Sequence, residues 1–343
     1  MTSTTYKPRN TMRMLAVAVV AAMCVSSPAF AAADNSADAI GAVLNSRASG
    51  SKRMYAVAAA SVAKAAEEGK PLQQFVVAIL SKDKNVPLVL QISEETRRKY
   101  LASSKPKIKK MAEKKNNSLA WYLLAIEGDD HKMLEKAASF GNVQALNTLG
   151  MMRFDKAFDD PSADSAALLK EAFSLFKKAA DKDDANGYNN LGICYQNGQG
   201  CTKDEKAAFD CFRKAADLNH PEAVNNLGRF YREGIVVDQD FAKAAECFSR
   251  SAKMGCEVGQ INYAIALLRG EGVARNERRA VELIESMATG GSAEAMEVMS
   301  LCYEQGQGVE RDAWKSMVWS IRSKAARGDK ASQKWLEANG FVK

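Results

Sequence analysis

Six cysteines beyond residue 31, two histidines and several serine–lysine pairs are the side chains with which this chain could do covalent or metal chemistry. The cysteines are Cys194, Cys201, Cys211, Cys247, Cys256 and Cys302. A zinc site draws its ligands from short fixed spacings such as C-x-x-C; none occurs, and His131 and His220 stand apart. S-x-x-K occurs at Ser61 to Lys64, Ser104 to Lys107 and Ser174 to Lys177. A lysine-rich chain produces that pattern by chance, and neither the K-T-G nor the G-x-S-x-G of a serine active site accompanies it. The segments G-Q-G-C-T-K, G-E-G-V-A-R and G-Q-G-V-E-R precede helices as a phosphate loop would. None follows a strand or ends in G-K-S/T. The reading assigns no catalytic, cofactor-binding or metal-ligating residue and expects no enzyme.

These residues sit on a block of 36 that repeats. Leu191-Gly192, Leu227-Gly228, Tyr263-Ala264 and Met299-Ser300 open successive copies. A fixed period of this length marks a solenoid, in which each unit buries its apolar face only against its neighbours. In the copy from Ala185 to Pro221, Tyr188, Leu191, Cys194 and Tyr195 recur at helical spacing. Gly198 closes that helix, Asp204 opens a second, and Ala208, Cys211, Phe212, Ala215 and Ala216 give the second its apolar stripe. The stop recurs as Gly234, Gly270 and Gly306, and the start as Asp240, Asn276 and Asp312. The aromatic column reads Tyr195, Tyr231, Leu267 and Tyr303. The expected fold is all-α: a right-handed α-solenoid of helical hairpins.

The pattern N-N-L-G-I-C-Y-Q-N-G-Q-G-C-T-K-D at 189–204 and G-Q-G-V-E-R-D at 306–312 resembles the Sel-one-like repeat (SLR) family, relatives of the tetratricopeptide repeats. Clear copies span about 185–220, 221–256, 257–292 and 293–330. Degenerate copies cover about 142–184, with F-K-K-A-A at 176–180, and about 117–141, with Trp121 and K-A-A at 136–138. Val236 departs from the family, standing where three copies have the second loop glycine. The resemblance implies protein–protein interaction rather than catalysis. Some relatives are linked to β-lactam binding, which makes β-lactam binding or hydrolysis the alternative enzyme reading. Cysteine-rich relatives pair cysteines where this chain has Ala216 and Ala223, so that disulfide framework does not carry over.

The register accounts for most of the cysteines. Cys201 shares a column with Val237, Val273 and Val309; Cys211 and Cys247 with Leu283 and Trp319; Cys194 and Cys302 with Phe230 and Ala266. In an apolar column a thiol acts as a small hydrophobe. Equivalent columns of neighbouring repeats lie about 10 Å apart, too far for a bridge, whereas Cys194 and Cys211 share a repeat and could form one. Buried free thiols are the default expectation.

The first 31 residues read as an address. Lys7, Arg9 and Arg13 precede an apolar run from Met14 to Val25, and Ala29-Phe30-Ala31 is an A-x-A cleavage site. Cleavage after Ala31 and export to a periplasm or outside are expected. The run is too short to span a bilayer, and Met23 before Cys24 argues against a lipid anchor. Residues 32–115 are expected to form a helical cap and basic linker, and 116–343 the solenoid. Of the chain's net charge of +7, +6 lies in 94–115, from Arg97, Arg98, Lys99, Lys105, Lys107, Lys109, Lys110, Lys114 and Lys115 against three glutamates. That segment is either a solvated face or a contact for an anionic envelope surface or polymer. With Tyr100 its only aromatic, it does not suit specific nucleic-acid binding.

What remains is a surface for a protein or peptide on the concave face, where the first helices of such arrays lie. Asn190, Asn226 and Asn262 form one column, with Asn189 and Asn225 beside it and Arg229 and Arg232 one turn on. The amides either pair with the backbone of an extended peptide or brace the hairpin, and the arginines suit a carboxylate. Trp314 stands in a column otherwise read as Lys206, Ala242 and Arg278. It is either an interface anchor or packed near Trp335.

Overall fold

The computed structural model describes residues 62–81, 90–160 and 164–341. The expected leader, Ser61 and part of the 159–164 insertion lie outside them. The described residues are helical, in consecutive packed hairpins: α1 (Pro71–Leu80), α2 (Glu94–Lys115), α3 (Ser118–Gly128), α4 (His131–Ser139), α5 (Val143–Asp159), α6 (Ser165–Ala180), α7 (Ala185–Asn197), α8 (Glu205–Asp217), α9 (Pro221–Glu233), α10 (Phe241–Lys253), α11 (Glu257–Arg269), α12 (Glu277–Thr289), α13 (Ala293–Gln305), α14 (Ala313–Ala326) and α15 (Lys330–Ala338). They form two compact units, one ending at Leu218 and one beginning at Asn219. The all-α hairpin class expected from the 36-residue period is the one observed.

Each second helix starts where a carboxylate or amide can bond a free backbone N–H. Asp204 accepts from Ala207 N at 2.9 Å, Asp240 from Lys243 N at 2.9 Å, Asn276 from Arg279 N at 3.0 Å and Asp312 from Lys315 N at 2.9 Å. Each first helix stops at Gly198, Gly234, Gly270 or Gly306, all left-handed with φ of 67–72°. The backbone N–H of each start residue also donates to a carbonyl of the preceding helix: Asp204 to Tyr195, Asp240 to Tyr231, Asn276 to Leu267 and Asp312 to Tyr303, at 2.8–3.0 Å. The aromatic column thus anchors every hairpin loop through its main chain.

First-helix caps are less uniform and include two residues the sequence left unexplained. Cys256 Sγ accepts from Gly259 N at 3.4 Å, and His220 Nδ1 from Ala223 N at 3.3 Å. Both occupy the N-cap column of Asp184 and Ser292. Cys256, the one mature cysteine outside an apolar column, is therefore a helix cap.

Within a hairpin, the glycine after the leucine lets a phenylalanine of the second helix lie flat on the first. A Cβ at Gly192 would stand 2.8 Å from the Phe212 ring, and one at Gly228 2.6 Å from Phe248. In the degenerate copy Gly150 and Phe176 make the same pair between longer helices. Where the column changes to Ala264, the partner column shrinks to Ile284; at Ser300 it is Ser320. Phe176, Phe212 and Phe248 are fully buried, each contributing about 1.5–3 kcal/mol of apolar transfer energy.

Between hairpins, the second loop glycine presses against the second helix of the hairpin before it. A side chain at Gly200 would run into the Leu169 carbonyl, at Gly272 into that of Phe241, and at Gly308 into that of Glu277. Val236 holds the same loop position with φ +67°, a left-handed conformation that costs a β-branched residue about 1–3 kcal/mol.

The helical segment 62–67 and α1 join as the repeats do: Gln74 Nε2 donates to the Ala66 carbonyl eight residues back, as Gln260 does to Ala252 and Gln333 to Ala325. Pro71 opens α1 and Ser93 caps α2 through Thr96 N at 3.1 Å. One core cluster takes Val62, Phe75, Leu80 and Ile108 together with Trp121, Leu134 and Leu149, so the described part of the expected helical cap shares its core with α3–α5.

The backbone approach at Gly272 makes a direct test. Gly272→Ala is expected to lower stability by about 2–4 kcal/mol, combining a left-handed φ with a clash. Gly328→Ala also sits at positive φ but meets nothing within 4 Å, and is expected to cost about 1 kcal/mol. Equal losses in thermal unfolding would show that the approach to Phe241 contributes nothing.

Candidate functional site

The asparagine columns divide between interior and surface. Asn189 and Asn225 are buried, 6% and 4% exposed, while Asn190, Asn226 and Asn262 are half-buried. Asn262 Nδ2 donates to Asn225 Oδ1 at 2.7 Å, tying α11 to α9. In the first unit Asn147 Nδ2 makes a similar bond to Asp184 Oδ2 at 2.7 Å, and that carboxylate also caps α7. Amides on this face therefore set the spacing of neighbouring first helices, a bracing role between hairpins rather than within the preceding turn.

Arg229 and Arg232 share a carboxylate. Arg229 Nε lies 3.8 Å and Arg232 Nη2 3.1 Å from Glu233 Oε1. The Arg232 guanidinium also lies 5.6 Å above the Phe248 ring, the ring on which Gly228 sits. An incoming carboxylate would compete with a surface ion pair worth about 0–1 kcal/mol, a small barrier. Asn226 and Arg229, one turn apart on α9, are both open to solvent on one side.

Trp314 is 57% exposed, and its ring lies 6.0 Å from that of Trp335, which stacks on Phe341 at 5.8 Å.

Five of the nine cations of the basic segment have a carboxylate partner. Arg97 and Arg98 pair with Glu94, Lys99 with Glu95 at 2.7 Å, Lys105 with Glu127 at 2.6 Å and Lys109 with Glu113 at 3.9 Å. The guanidinium of Arg97 holds the Glu94 carboxyl below its ordinary range. Lys107 and Lys110 remain exposed, with no ion pair among the described residues, on the side of α2 away from the buried Ser104, Ile108 and Ala112. Ser104 Oγ donates to the Tyr100 carbonyl of its own helix, and Ser174 is exposed on α6.

The six cysteines among the described residues are free thiols. Burial pushes Cys194 up to about 12 and Cys211, Cys247 and Cys302 up to about 11, so none of these four is a thiolate at neutral pH. Cys201 Sγ donates weakly to the Cys194 carbonyl at 3.5 Å. Among the described residues no group of three or more His, Cys, Asp or Glu could hold a metal ion.

The sequence reading missed an open groove of about 830 Å³ in the first unit, lined by Phe140, Leu146, Leu149, Leu175, Lys178 and Lys182 among others. Its walls come from α4, α5 and α6, too far apart in the chain for any local pattern to announce it.

This geometry matches a known repeat. The Sel1 repeat matches residues 169–184, 185–220, 221–256, 258–292 and 293–326, so the chain carries Sel1 repeats, five of them in succession. A Sel1 repeat protein from Oxalobacter formigenes has a similar crystal structure: 26% identity, 64% of this chain and 88% of that one covered, TM-score 0.50. An SLR-fold protective antigen present in uropathogenic Escherichia coli strains shares the fold at 24% identity, covering 80% of this chain and 57% of that one, TM-score 0.52. No curated protein matches the chain. Sel1-repeat proteins typically mediate protein–protein interaction and are generally non-catalytic. Among the described residues no helix is long and apolar enough to cross a membrane.

Two measurements follow. Asn262→Ala is expected to cost about 1–3 kcal/mol, because it strands the buried Asn225 amide, whereas Asn226→Ala is expected to cost under about 1 kcal/mol. Chemical denaturation of the two variants checks the order. With Ellman's reagent at pH 7.4, Cys194 and Cys302 are expected to react only on unfolding; fast labelling of either in the folded protein would contradict their burial.

Proposed function

We propose that this chain is an exported, non-catalytic scaffold that holds an extended protein segment against the first-helix face of its second unit. Asn226, Arg229 and Arg232 on α9 are the contact. The observation that carries the reading is the division of labour on that face. Asn225 turns inward and takes the bond from Asn262, fixing α9 against α11, while Asn226 and Arg229 stay half-open on the same helix. A fixed ledge of this kind presents an amide, which both donates and accepts, beside a guanidinium suited to a carboxylate. Asn190 holds the same column in the first unit. Export rests on the three-part layout of residues 1–31.

A second reading is contact with an anionic envelope surface through α2, favoured by the unpaired Lys107 and Lys110. Salt separates the two. At 1 M salt the Debye length is about 3 Å, so binding through exposed lysines collapses while a hydrogen-bonded, partly desolvated contact mostly survives.

The test is a pull-down from envelope extract with the chain lacking residues 1–31, repeated with Asn226→Ala/Arg229→Glu at unchanged helical content and melting temperature. A partner held at 1 M salt by the parent and weakened at least about tenfold in the variant is the expected result. A partner that both proteins hold equally would remove α9 from the site, and one that salt alone releases would favour α2.

A further inference from the structure

The α13–α14 hairpin differs from the three before it. The fifth residue of their second helices reads Phe209, Ala245, Val281 and, in α14, Met317. The first three are buried, at 8%, 1% and 8% exposure; Met317 is 39% exposed. In the second unit the cause is visible. The loop of the following hairpin lies across this point, so that a Cβ at Gly308 would stand 2.8 Å from Val281 Cγ2 and 2.7 Å from the Glu277 carbonyl. Trp314 and Met317 are exposed one turn apart on α14.

Trp314 is open and also held in place. Its ring lies 6.0 Å from Trp335, Trp335 stacks on Phe341 at 5.8 Å with 11° between planes, and Arg322 lies 5.6 Å over Phe341 and 4.8 Å over Trp319. An aromatic fixed on one face and wet on the other loses little entropy when a partner covers it. Along this stretch cations outnumber anions. Residues 313–341 carry six cationic and two anionic side chains, and one of the anions, Asp329, is used in capping α15 through Ser332 N at 2.8 Å. Lys330 and Lys334, one turn apart on α15 beside Trp335, are exposed with no ion pair among the described residues.

The geometry points to a second docking site on this corner, for an acidic peptide segment carrying one large apolar side chain. The apolar group covers Trp314 and Met317, and the carboxylates meet Lys330 and Lys334. A second copy of this chain would bring the same cationic surface to the corner, so charge complementarity selects an acidic partner. The site lies on a different hairpin from the α9 ledge and does not depend on it.

The probe is an array of fluorescent twelve-residue peptides rich in Glu and Asp with one central Phe, Leu or Trp. Each has a Gln/Asn counterpart and a counterpart with Ser at the centre. Titrations use the whole chain, Trp314→Ala and Lys330→Glu/Lys334→Glu, each with melting temperature and sedimentation measured alongside. The expected result is binding of the acidic apolar peptides, weakened at least about tenfold by either variant and by either peptide change, at unchanged melting temperature. Equal binding by Trp314→Ala, or no binding by any array member, overturns the proposal. So does a parent dimer that Trp314→Ala dissociates, which would make the occupant a second copy. Loss in Trp314→Ala of binding to phosphatidylglycerol vesicles, with peptides unbound by the parent, would assign the corner to lipid and overturn it too.

Discussion

Everything in this protein depends on how closely one helix can approach the next. A side chain as small as a methyl group at Gly192 or Gly228 would collide with the phenylalanine ring that seals the hairpin, and one at Gly200, Gly272 or Gly308 would collide with the backbone of the preceding second helix. Interiors packed to crystal-like density do not absorb such additions without moving. The repeat is therefore a chain of close approaches, one within each hairpin and one to the hairpin before it, and the period of 36 residues records their spacing.

Polar groups inside such a stack must be satisfied by the stack itself. The start residues cap their helices, and their N–H groups reach the carbonyls of the aromatic column. Ser251 and Ser323 bond the carbonyls of Pro221 and Ala293, the first residues of α9 and α13, at 2.8 Å. Asn225 and Asn262 satisfy each other between neighbouring first helices. The cysteines follow the same economy: most are apolar filling whose burial suppresses ionisation, and Cys256 is a cap. Chemistry that looked available in the sequence is largely consumed by architecture, which leaves surfaces to carry function.

Those surfaces arise where the lattice is left open. On α9 Asn226 is half-buried beside an arginine pair that shares Glu233. On α14 Met317 is open at a position that is buried in α8, α10 and α12. In both places the rigid element lies beneath and the exposed side chain above, the arrangement that lowers the entropic cost of binding.

The sequence by itself determined the helical hairpin, its stops at Gly198, Gly234, Gly270 and Gly306, its starts at Asp204, Asp240, Asn276 and Asp312, and the apolar columns that hold five of the six cysteines. These are local matters of capping, left-handed glycine and 3.6-residue periodicity, and each is written within a few residues of where it acts. Only the tertiary structure decided that Asn225 is spent on Asn262, that 62–81 and 90–115 share their core with α3–α5, and that Met317 is exposed where Val281 is buried. Each of these depends on a neighbour in space that is distant in the chain. No local pattern encodes what a side chain meets once the next hairpin has packed against it.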